Sequence, residues 1–464
     1  MKSFARNLFS LLSADIVRRL LGFASVAYLA RILGAEAFGS VNIAFAVLSY
    51  GIMVSSMGLA HLGAREIAKG ASDDVVNDFL SLRLVLAGAT VTVIVSASLL
   101  LISDTTTGLV VSVFSLSIFA YALLIEWYFQ GKEQMGIMGI GRVTSPALYL
   151  LLVVVLVRSP GDILWVAGAG VMGDLFFAAV LLRKFRKGGG SLAFRIRPAV
   201  WKSMLKQSLP IAAGSILAQF TVNYPPVALA ILKSNADVGI FSAASKIVFY
   251  LLMVDRVIAP LLLPALTRWQ GISPDVLSNR IGETMRWLML VGMPIAVGGT
   301  LLAQPLVALV FGTEYLAAAD VFRVFIWYFF LTIFNSVYSN AFIALGRYKT
   351  YGYMMFASAA MYVVAVTTFT MSFGTMGTAF GIILSEGVTL LILHFQMRKI
   401  CILTVPKGLG KVLLSSILMA LAVELTSAVN VLLVTLLGAA VYGVCMIAIR
   451  AVTIREIMNL LRRA

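Results

Sequence analysis

The feature that most constrains this chain is a series of apolar stretches, each long enough to cross a bilayer. A membrane-spanning helix needs about 20 mostly apolar residues, whereas a barrel strand needs about 9–11. Fourteen such stretches lie between charged residues or Gly, Pro and Asn breaks, and they centre near Gly22, Ser49, Val91, Leu116, Leu151, Met172, Leu217, Phe249, Val297, Ile333, Tyr362, Ile383, Leu418 and Gly438. The sequence therefore predicts an all-α polytopic membrane protein with about fourteen transmembrane helices.

Composition supports this prediction and excludes other classes of protein. Of the 464 residues, 61% are hydrophobic and 12% are charged, against about 45–50% and about 25% in soluble domains. This excludes a soluble enzyme, a secreted disulfide scaffold and a disordered protein. The two cysteines, Cys401 and Cys445, cannot build a disulfide framework. His61 and His394 lie too far apart for a histidine metal site, so we expect neither a metal nor a cofactor.

The formal net charge of +16 follows from the distribution of basic residues between loops. With the N-terminus placed in the cytoplasm, most of the 36 basic residues fall on the inside, and the richest segment is residues 183–206. This asymmetry predicts that both termini are cytoplasmic and that the number of spans is even. We attribute the charge to topology and to contact with anionic lipid headgroups. Nucleic acid is not an expected partner, because no recognition motif accompanies the basic loop.

An internal repeat divides the chain. Residues 1–54 align with residues 201–254 without a gap, and ten positions are identical: Lys2/Lys202, Ser3/Ser203, Ile16/Ile216, Leu29/Leu229, Ala30/Ala230, Gly39/Gly239, Ala44/Ala244, Tyr50/Tyr250, Met53/Met253 and Val54/Val254. We predict two six-helix halves, residues 1–190 and 200–400, followed by two additional helices and a basic tail in residues 401–464. Equal orientation implies a pseudo-twofold axis along the membrane normal, with substrate between the halves. Two unrelated amphiphilic hairpins are the alternative.

Basic residues inside the predicted spans are candidates for a binding site. A charge at the bilayer centre costs about 2.5–3.5 kcal/mol on insertion scales and usually faces a bundle interior or a watery cavity. The first span carries Arg18 and Arg19, and the eighth carries Lys246 and Arg256. We predict a cationic cavity for an anionic ligand, because arginine forks fit phosphate oxygens. Since Arg18 and Arg19 point about 100° apart, we expect that they do not both face it.

Acidic residues in the same spans are candidate partners of these bases. They are Asp15, Asp174, Asp255 and Glu386. Asp15 can share one helix face with either arginine, at a spacing of three or four residues. The acids would pair with the bases when substrate is absent, or carry a coupling proton. The alternatives are structural: Asp174 and Glu386 as hydrogen-bonded helix partners, and Asp255 and Arg256 as residues near the inner end. Arg83 and Arg142 would snorkel to that end.

The seventh span contains a proline pair, Pro225 and Pro226. Two prolines remove backbone donors and should kink or break the helix. A broken helix beside the cavity would be a gate or a binding feature, and the alternative is a packed kink.

Two stretches resemble nucleotide-binding motifs but lack the structural context or the residues that these motifs require. Residues 168–173 match G-x-G-x-x-G but lie in an apolar helix, where small residues serve close helix packing. Residues 408–411 resemble the end of a P-loop, but Val405 and Val412 replace the required glycine and hydroxyl residue. Serine-hydrolase and zinc-protease motifs are also missing from the sequence. We therefore expect a protein that is not an enzyme.

Three segments resemble bacterial polysaccharide transporters, the O-antigen flippases (Wzx-like) of the MOP exporter superfamily, which includes the MATE transporters. Residues 30–39 resemble their R-x-L-G-x-x-x-F/Y-G segment after the first span. Gly58-Leu59 followed by Ala64-Arg65-Glu66 resembles the end of their second span. Residues 126–133 resemble their W-x-F-Q-G-x-E segment after the fourth span. With the helix count and the repeat, the resemblance covers essentially the whole chain.

The resemblance implies a flippase. Its substrate would be an undecaprenyl-pyrophosphate-linked oligosaccharide repeat unit of O-antigen, capsule or exopolysaccharide, moved across the bacterial inner membrane by alternating access. Arg18 or Arg19, Lys246 and Arg256 would bind the pyrophosphate. Expected partners are this substrate, membrane lipids, and polysaccharide polymerase and chain-length proteins. Coupling to an H⁺ or Na⁺ gradient would take the place of a cofactor. Alternatives that stay open are a MATE-type small-molecule exporter, a lipid II-type precursor flippase, a membrane polymerase or ligase, and a non-transporting scaffold.

Overall fold

The chain is almost entirely helical. The computed structural model describes residues 2–253, 266, 274–401, 408–426, 430–452 and 456, and of residues 2–14, 135, 140, 211, 213–215, 218 and 274 it describes the backbone alone. The α-helices in these ranges are α1 Lys2–Ser56, α2 Leu59–Ala68, α3 Asp74–Leu101, α4 Thr105–Ser115, α5 Ser117–Leu123, α6 Glu126–Gly131, α7 Met135–Leu156, α8 Ile163–Lys187, α9 Pro198–Leu232, α10 Asn235–Leu251, α11 Pro274–Leu301, α12 Ala303–Phe311, α13 Ala317–Ala344, α14 Tyr348–Arg398, α15 Leu409–Leu425 and α16 Val431–Ala448. These ranges contain no β-strand.

The predicted fold class is confirmed. Within the described ranges, nine helical segments are long and apolar enough to cross a membrane. Thirteen of the fourteen predicted centres fall inside a helix, and Leu116 falls at the junction of α4 and α5, within one apolar segment over Thr105–Gly131. Because α1 and α14 each contain two predicted centres, the helices are compatible with fourteen spans.

Glycines bend the two longest helices. Gly34 divides α1 with φ 71° and ψ 173°, and Gly374 divides α14 with φ 59° and ψ −136°. A side chain at either position would clash with the backbone, so glycine is the residue that adopts these angles at low cost. Gly34 is the glycine of the R-x-L-G segment, which therefore marks the turn between the first two predicted spans.

The proline pair does not break its helix. Helix α9 runs without interruption from Pro198 to Leu232, with Pro210, Pro225 and Pro226 inside it. The expected break is therefore absent, and a role for Pro225 and Pro226 as a gate or a kink stays a prediction.

The chain packs as two compact units, residues 1–242 and 243–464. Helix α9 belongs with the first unit because it packs against α1 and α2. The division predicted at residues 190–200 from the repeat stays a prediction about the symmetry of the chain, since it rests on sequence alignment rather than on packing.

The family-like segments contact each other in the first unit, where α2 packs on α6. A Cβ added at Gly63 would lie 2.5 Å from the Trp127 ring, and one added at Gly131 would lie 2.8 Å from the carbonyl oxygen of Ala64. Trp127 is 2% exposed and belongs to a core shared with Leu59 and Phe79. The second and third segments therefore serve close packing between two short helices.

In the second unit, the two C-terminal helices are part of the core. Helices α15 and α16 pack against each other and against α11. The Tyr442 hydroxyl donates a hydrogen bond of 2.9 Å to the carbonyl of Leu290. Met289, Met419 and Val434 join the same core. The last two predicted spans are therefore packed on the bundle rather than loosely appended to it.

The repeat alignment reappears as a reciprocal helix contact within the first unit. A Cβ on Gly39 would lie 1.7 Å from the Asn235 carbonyl oxygen, and a Cβ on Gly239 would lie 1.9 Å from the Ala35 carbonyl oxygen. The two contacts are equivalent in the alignment, because Gly39 aligns with Gly239 and Ala35 aligns with Asn235. This reciprocity is what a local twofold axis between residues 39 and 239 produces. Both glycines are required because the backbones touch.

Candidate functional site

A carboxylate between two arginines lies on the first membrane helix. The Asp15 carboxylate accepts bonds of 2.7 Å from Arg18 Nη2 and 2.7 Å from Arg19 Nε. The Arg18 side chain is 42% exposed, against 15% for Arg19. The two guanidinium groups meet at one carboxylate, because long side chains at i+3 and i+4 both reach back to residue i. Arg18 binds one carboxylate oxygen of Asp15, and Arg19 binds the other. That only one of the two arginines faces a cavity stays a prediction.

Arg83 is buried in α3 and does not snorkel as the sequence suggested. It is 6% exposed. Its guanidinium donates to the carbonyls of Tyr121 and Leu124, at the C-terminal end of α5. The last carbonyls of a helix have no partner within it. Arg83 therefore supplies hydrogen-bond donors to the last carbonyls of α5 inside the bundle.

A second ion pair and one tyrosine extend this polar cluster. Glu126, the first residue of α6, accepts a 3.1 Å bond from Arg142 Nε of α7. The Tyr121 hydroxyl lies within electrostatic reach of Arg18, Glu126 and Asp174. Together, residues of α1, α3, α5, α6, α7 and α8 form what we call the N-terminal polar cluster: Asp15, Arg18, Arg19, Arg83, Tyr121, Glu126, Arg142 and Asp174. Four arginines against three carboxylates leave it formally cationic.

Asp174 lies on α8 in a buried part of the same cluster. It is within electrostatic reach of Tyr121 and Tyr149 and lies close to the Ser117 hydroxyl. The Tyr149 and Ser117 hydroxyls are buried without a hydrogen-bond partner among the described residues. A buried hydroxyl without a partner is costly, and both of these lie near a carboxylate. Asp174 and the two neighbouring hydroxyls therefore form a polar site, where the carboxylate can take up a proton and the hydroxyls can bind a polar group.

Glu386 in the second unit is held by neutral groups. Its Oε1 accepts 2.7 Å from Asn335 Nδ2 and 3.1 Å from Thr332 Oγ1, both on α13. Asn335 Nδ2 also lies 3.1 Å from the Glu386 carbonyl oxygen, which ties α13 to α14. Near the end of α14, the Tyr338 hydroxyl lies 2.7 Å from His394 Nδ1. Glu386 thus has the hydrogen-bonded, helix-linking surroundings that the structural alternative expects.

Lys246 lies on α10 in the second unit and is half-buried. Among the described residues, no carboxylate forms an ion pair with it. Asp255 and Arg256 lie outside the described residues. Of the predicted site residues, the structure thus brings together Asp15, Arg18, Arg19 and Asp174.

A polar network surrounds the Gly39 and Gly239 contact, and sequence reasoning did not find it. The Asn235 amide donates to Thr107 at 3.0 Å, to Ser40 at 3.2 Å and to Asp104 at 3.3 Å. Hydrogen bonds from the Thr107 hydroxyl and from the Thr107 and Thr106 amides hold the pKa of Asp104 below its usual range. The only sequence signal was a set of neutral polar residues beside a repeated glycine. We call Ser40, Asp104, Thr107 and Asn235 the Asn235 network.

Comparison with known protein families identifies the family of this chain. The family described as "Polysaccharide biosynthesis protein" matches residues 4–270, which is more than half of the sequence. The chain belongs to this family. The match includes the three segments that carry the resemblance and all of the N-terminal polar cluster. Nine helical segments of the described residues are long and apolar enough to cross a membrane, so this family member is a multi-pass membrane protein.

Individual relatives agree with this placement. A Shigella dysenteriae protein named "Putative O-antigen transporter" is 24% identical over 321 residues, covering 67% of this chain and 78% of its own length. The fold is similar to that of the lipid II flippase MurJ in an inward closed conformation, with a TM-score of 0.79 at 16% identity over 95% of this chain and 99% of MurJ. An inward-facing multidrug resistance MATE transporter of the MOP superfamily follows at TM-score 0.65 and 16% identity, covering 82% and 94% of the two chains.

Proposed function

We propose that this protein is a flippase that moves lipid-linked oligosaccharide repeat units across the bacterial inner membrane by alternating access. The observation that carries the proposal is the pair of arginines on one membrane helix, both bound to Asp15. In this arrangement one carboxylate is shared by two cations, which leaves a net positive charge that an anionic ligand can neutralise. Family membership and the O-antigen transporter relative point to the same cargo.

The chemistry of the cargo suits this arrangement. An undecaprenyl-pyrophosphate carrier presents a diphosphate whose oxygens fit arginine forks in bidentate geometry. Arg18 is the more exposed arginine and would contact the headgroup, while Arg19 would hold Asp15. A hydrated groove replaces bulk water around the sugar while the prenyl tail stays in lipid.

Lys246 would add a second cation that no described carboxylate neutralises. Asp174 would be the acid to carry a coupling proton, in place of a cofactor.

The experiment is transport in reconstituted liposomes. A fluorescent undecaprenyl-pyrophosphate oligosaccharide is scored for access to an impermeant outside reagent. We expect the triple variant Arg18→Ala, Arg19→Ala, Lys246→Ala to lose flipping at least tenfold. Arg323→Ala is the matched control, because Arg323 forms an i,i+3 pair of 2.8 Å with Asp320 and is 41% exposed, close to the values for Arg18 and Asp15. Full flipping by the folded triple variant would contradict the proposal.

Two further outcomes separate the alternatives. Equal flipping of lipid II and of an oligosaccharide repeat unit would assign the protein to cell-wall precursors as well. Transport of an organic cation without any flipping would instead assign it to MATE-type export. Asp15→Asn gives an independent check on the cluster: it frees both arginines from their carboxylate, so we expect tighter retention of the pyrophosphate lipid and slower release.

A further inference from the structure

A second basic site lies at the C-terminal end of α8, and it shares no residue with the N-terminal polar cluster. A cavity of about 490 Å³ opens there, with an apolar wall formed by Ala179, Leu182 and Leu192. Its rim consists of three cations, Arg183, Arg186 and Lys187. Because α8 belongs to a membrane-spanning segment that ends at Lys187, this rim lies where hydrocarbon gives way to water.

The linker after α8 returns toward the cavity and lines it through Leu192. The chain turns back through Gly188–Gly190, and a Cβ on Gly190 would lie 2.4 Å from the Phe185 ring. The extended segment 191–197 then crosses α3. Its backbone amides at Ala193 and Arg195 donate to Asn77 at 2.9 Å and to Ser81 at 2.8 Å. These hydrogen bonds fix the segment on α3 next to the cavity, and we call residues 191–197 the strap.

The basic residues of the strap and those on the cavity rim differ in whether they form ion pairs. Arg195 binds Asp74 at 2.8 Å and Arg197 binds Asp78 at 3.5 Å. By contrast, the three rim cations form no ion pair within the part of the chain that the structure describes. Three exposed cations beside an apolar wall are complementary to a ligand with an anionic head and an apolar tail.

The outer face of the strap points to the same environment. Phe194 is 59% exposed and Ile196 is 69% exposed, and they alternate with the two paired arginines. An extended segment turns alternate side chains to opposite faces. One face thus binds α3 through charge, and the other presents two large apolar side chains. Such a face is stable when it enters the boundary between headgroups and acyl chains.

We propose that this cavity binds the headgroup of an anionic phospholipid of the surrounding bilayer. The phosphate would lie among Arg183, Arg186 and Lys187, and an acyl chain would follow Ala179 and Leu182 down α8. A cluster of basic residues at the end of a membrane helix is one form in which membrane proteins recognise anionic lipid headgroups. The strap would be anchored in the same leaflet by Phe194 and Ile196. This inference does not depend on the oligosaccharide cargo.

The first test is lipid titration of the delipidated full-length protein, with melting temperature and bound lipid phosphorus as measurements. We expect phosphatidylglycerol to bind and to raise the melting temperature, and phosphatidylcholine to do neither. The triple variant Arg183→Gln, Arg186→Gln, Lys187→Gln should weaken phosphatidylglycerol binding by roughly a hundredfold, at about fivefold for each cation near an anionic headgroup.

The matched control is a second triple variant, Arg347→Gln, Lys349→Gln, Arg398→Gln. It removes two arginines and one lysine, as the first variant does, and these three side chains are also exposed. Because they lie outside the cavity, we expect phosphatidylglycerol binding by the control variant to stay within about twofold of the unaltered protein, well under the effect of one cation at the headgroup.

Several results would overturn the proposal. They are equal binding of phosphatidylcholine, an equal loss of binding in the control variant, and displacement of phosphatidylglycerol by the pyrophosphate lipid, which would assign the cavity to the transport substrate. A measurement on the unaltered protein guards against folding defects. Photoactivatable phosphatidylglycerol should cross-link within residues 179–194, and cross-links confined to other segments would refute the assignment.

Discussion

At the residue scale, burial changes what a charge can do. Arg83 looked like a snorkelling residue in the sequence, because a position near a predicted helix end offers water within reach. In the structure it is 6% exposed and bound to two carbonyls of another helix. Periodicity cannot reveal this role, since the carbonyls belong to residues 38 and 41 positions later. Arg18, Arg19 and Asp15 were predictable, because their contact is local.

We predict that Arg83→Met destabilises the protein more than any surface charge substitution. It leaves the Tyr121 and Leu124 carbonyls without a donor and Glu126 with one cation fewer, and each buried group left without its partner costs roughly 1–3 kcal/mol. The measurement is thermal unfolding in detergent. Arg142→Met is the control, because that side chain is 36% exposed and has one ion pair, so its melting temperature should fall much less. Equal melting temperatures for the two variants would contradict the assigned role.

At the element scale, glycines decide where helices turn and where they touch. Gly34→Ala should destabilise the junction inside α1 by about 1–3 kcal/mol, because φ 71° and ψ 173° lie in a region that is essentially glycine-only. Gly88→Ala is the matched control, since it is a helical glycine whose added Cβ would make one contact, at 3.9 Å. Folded yield and melting temperature are the measurements. A Gly34→Ala protein as stable as the control would show that the turn tolerates a side chain.

The Asn235 network makes the alternating-access proposal testable. In a background of Cys401→Ser and Cys445→Ser, the pair Ser40→Cys and Asn235→Cys replaces side chains 3.2 Å apart on α1 and α10. If the reciprocal glycine contact must separate during transport, oxidation should abolish flipping and reductant should restore it. The control pair Ser40→Cys and Thr107→Cys replaces oxygens 2.7 Å apart within the first repeat. It should oxidise without loss of transport. Unimpaired flipping by the first oxidised pair would mean that this contact stays closed.

At the scale of the whole molecule, the basic loops predict the orientation of the chain in the membrane. Arg158 is exposed in the loop between α7 and α8, and Lys187 is exposed at the last residue of α8. In the same cysteine-free background, we predict that Arg158→Cys reacts with an impermeant maleimide on intact cells. Lys187→Cys should react after permeabilisation, as a cytoplasmic loop would. The reverse pattern would invert the topology and place both termini outside.

The sequence by itself determined the class of protein, the helical segments and the family, because these depend on local composition and on short motifs. The length of apolar runs is set by bilayer thickness, so span positions follow from hydropathy alone. The repeat also predicted which glycines would be equivalent. A contact such as Gly39 with Asn235 could not be inferred from the alignment, which matches positions without saying that they touch.

Tertiary structure decided which polar groups meet. Arg83 and the end of α5, Glu126 and Arg142, and the Asn235 network join residues from separate helices, and their partners depend on how helices rotate and cross. The same holds for the cavity at the end of α8, where the strap folds back onto α3. The physical reason is that a buried polar group must find a partner wherever packing places one. Hydropathy indicates that such a group is buried, and only the packed bundle determines its partner.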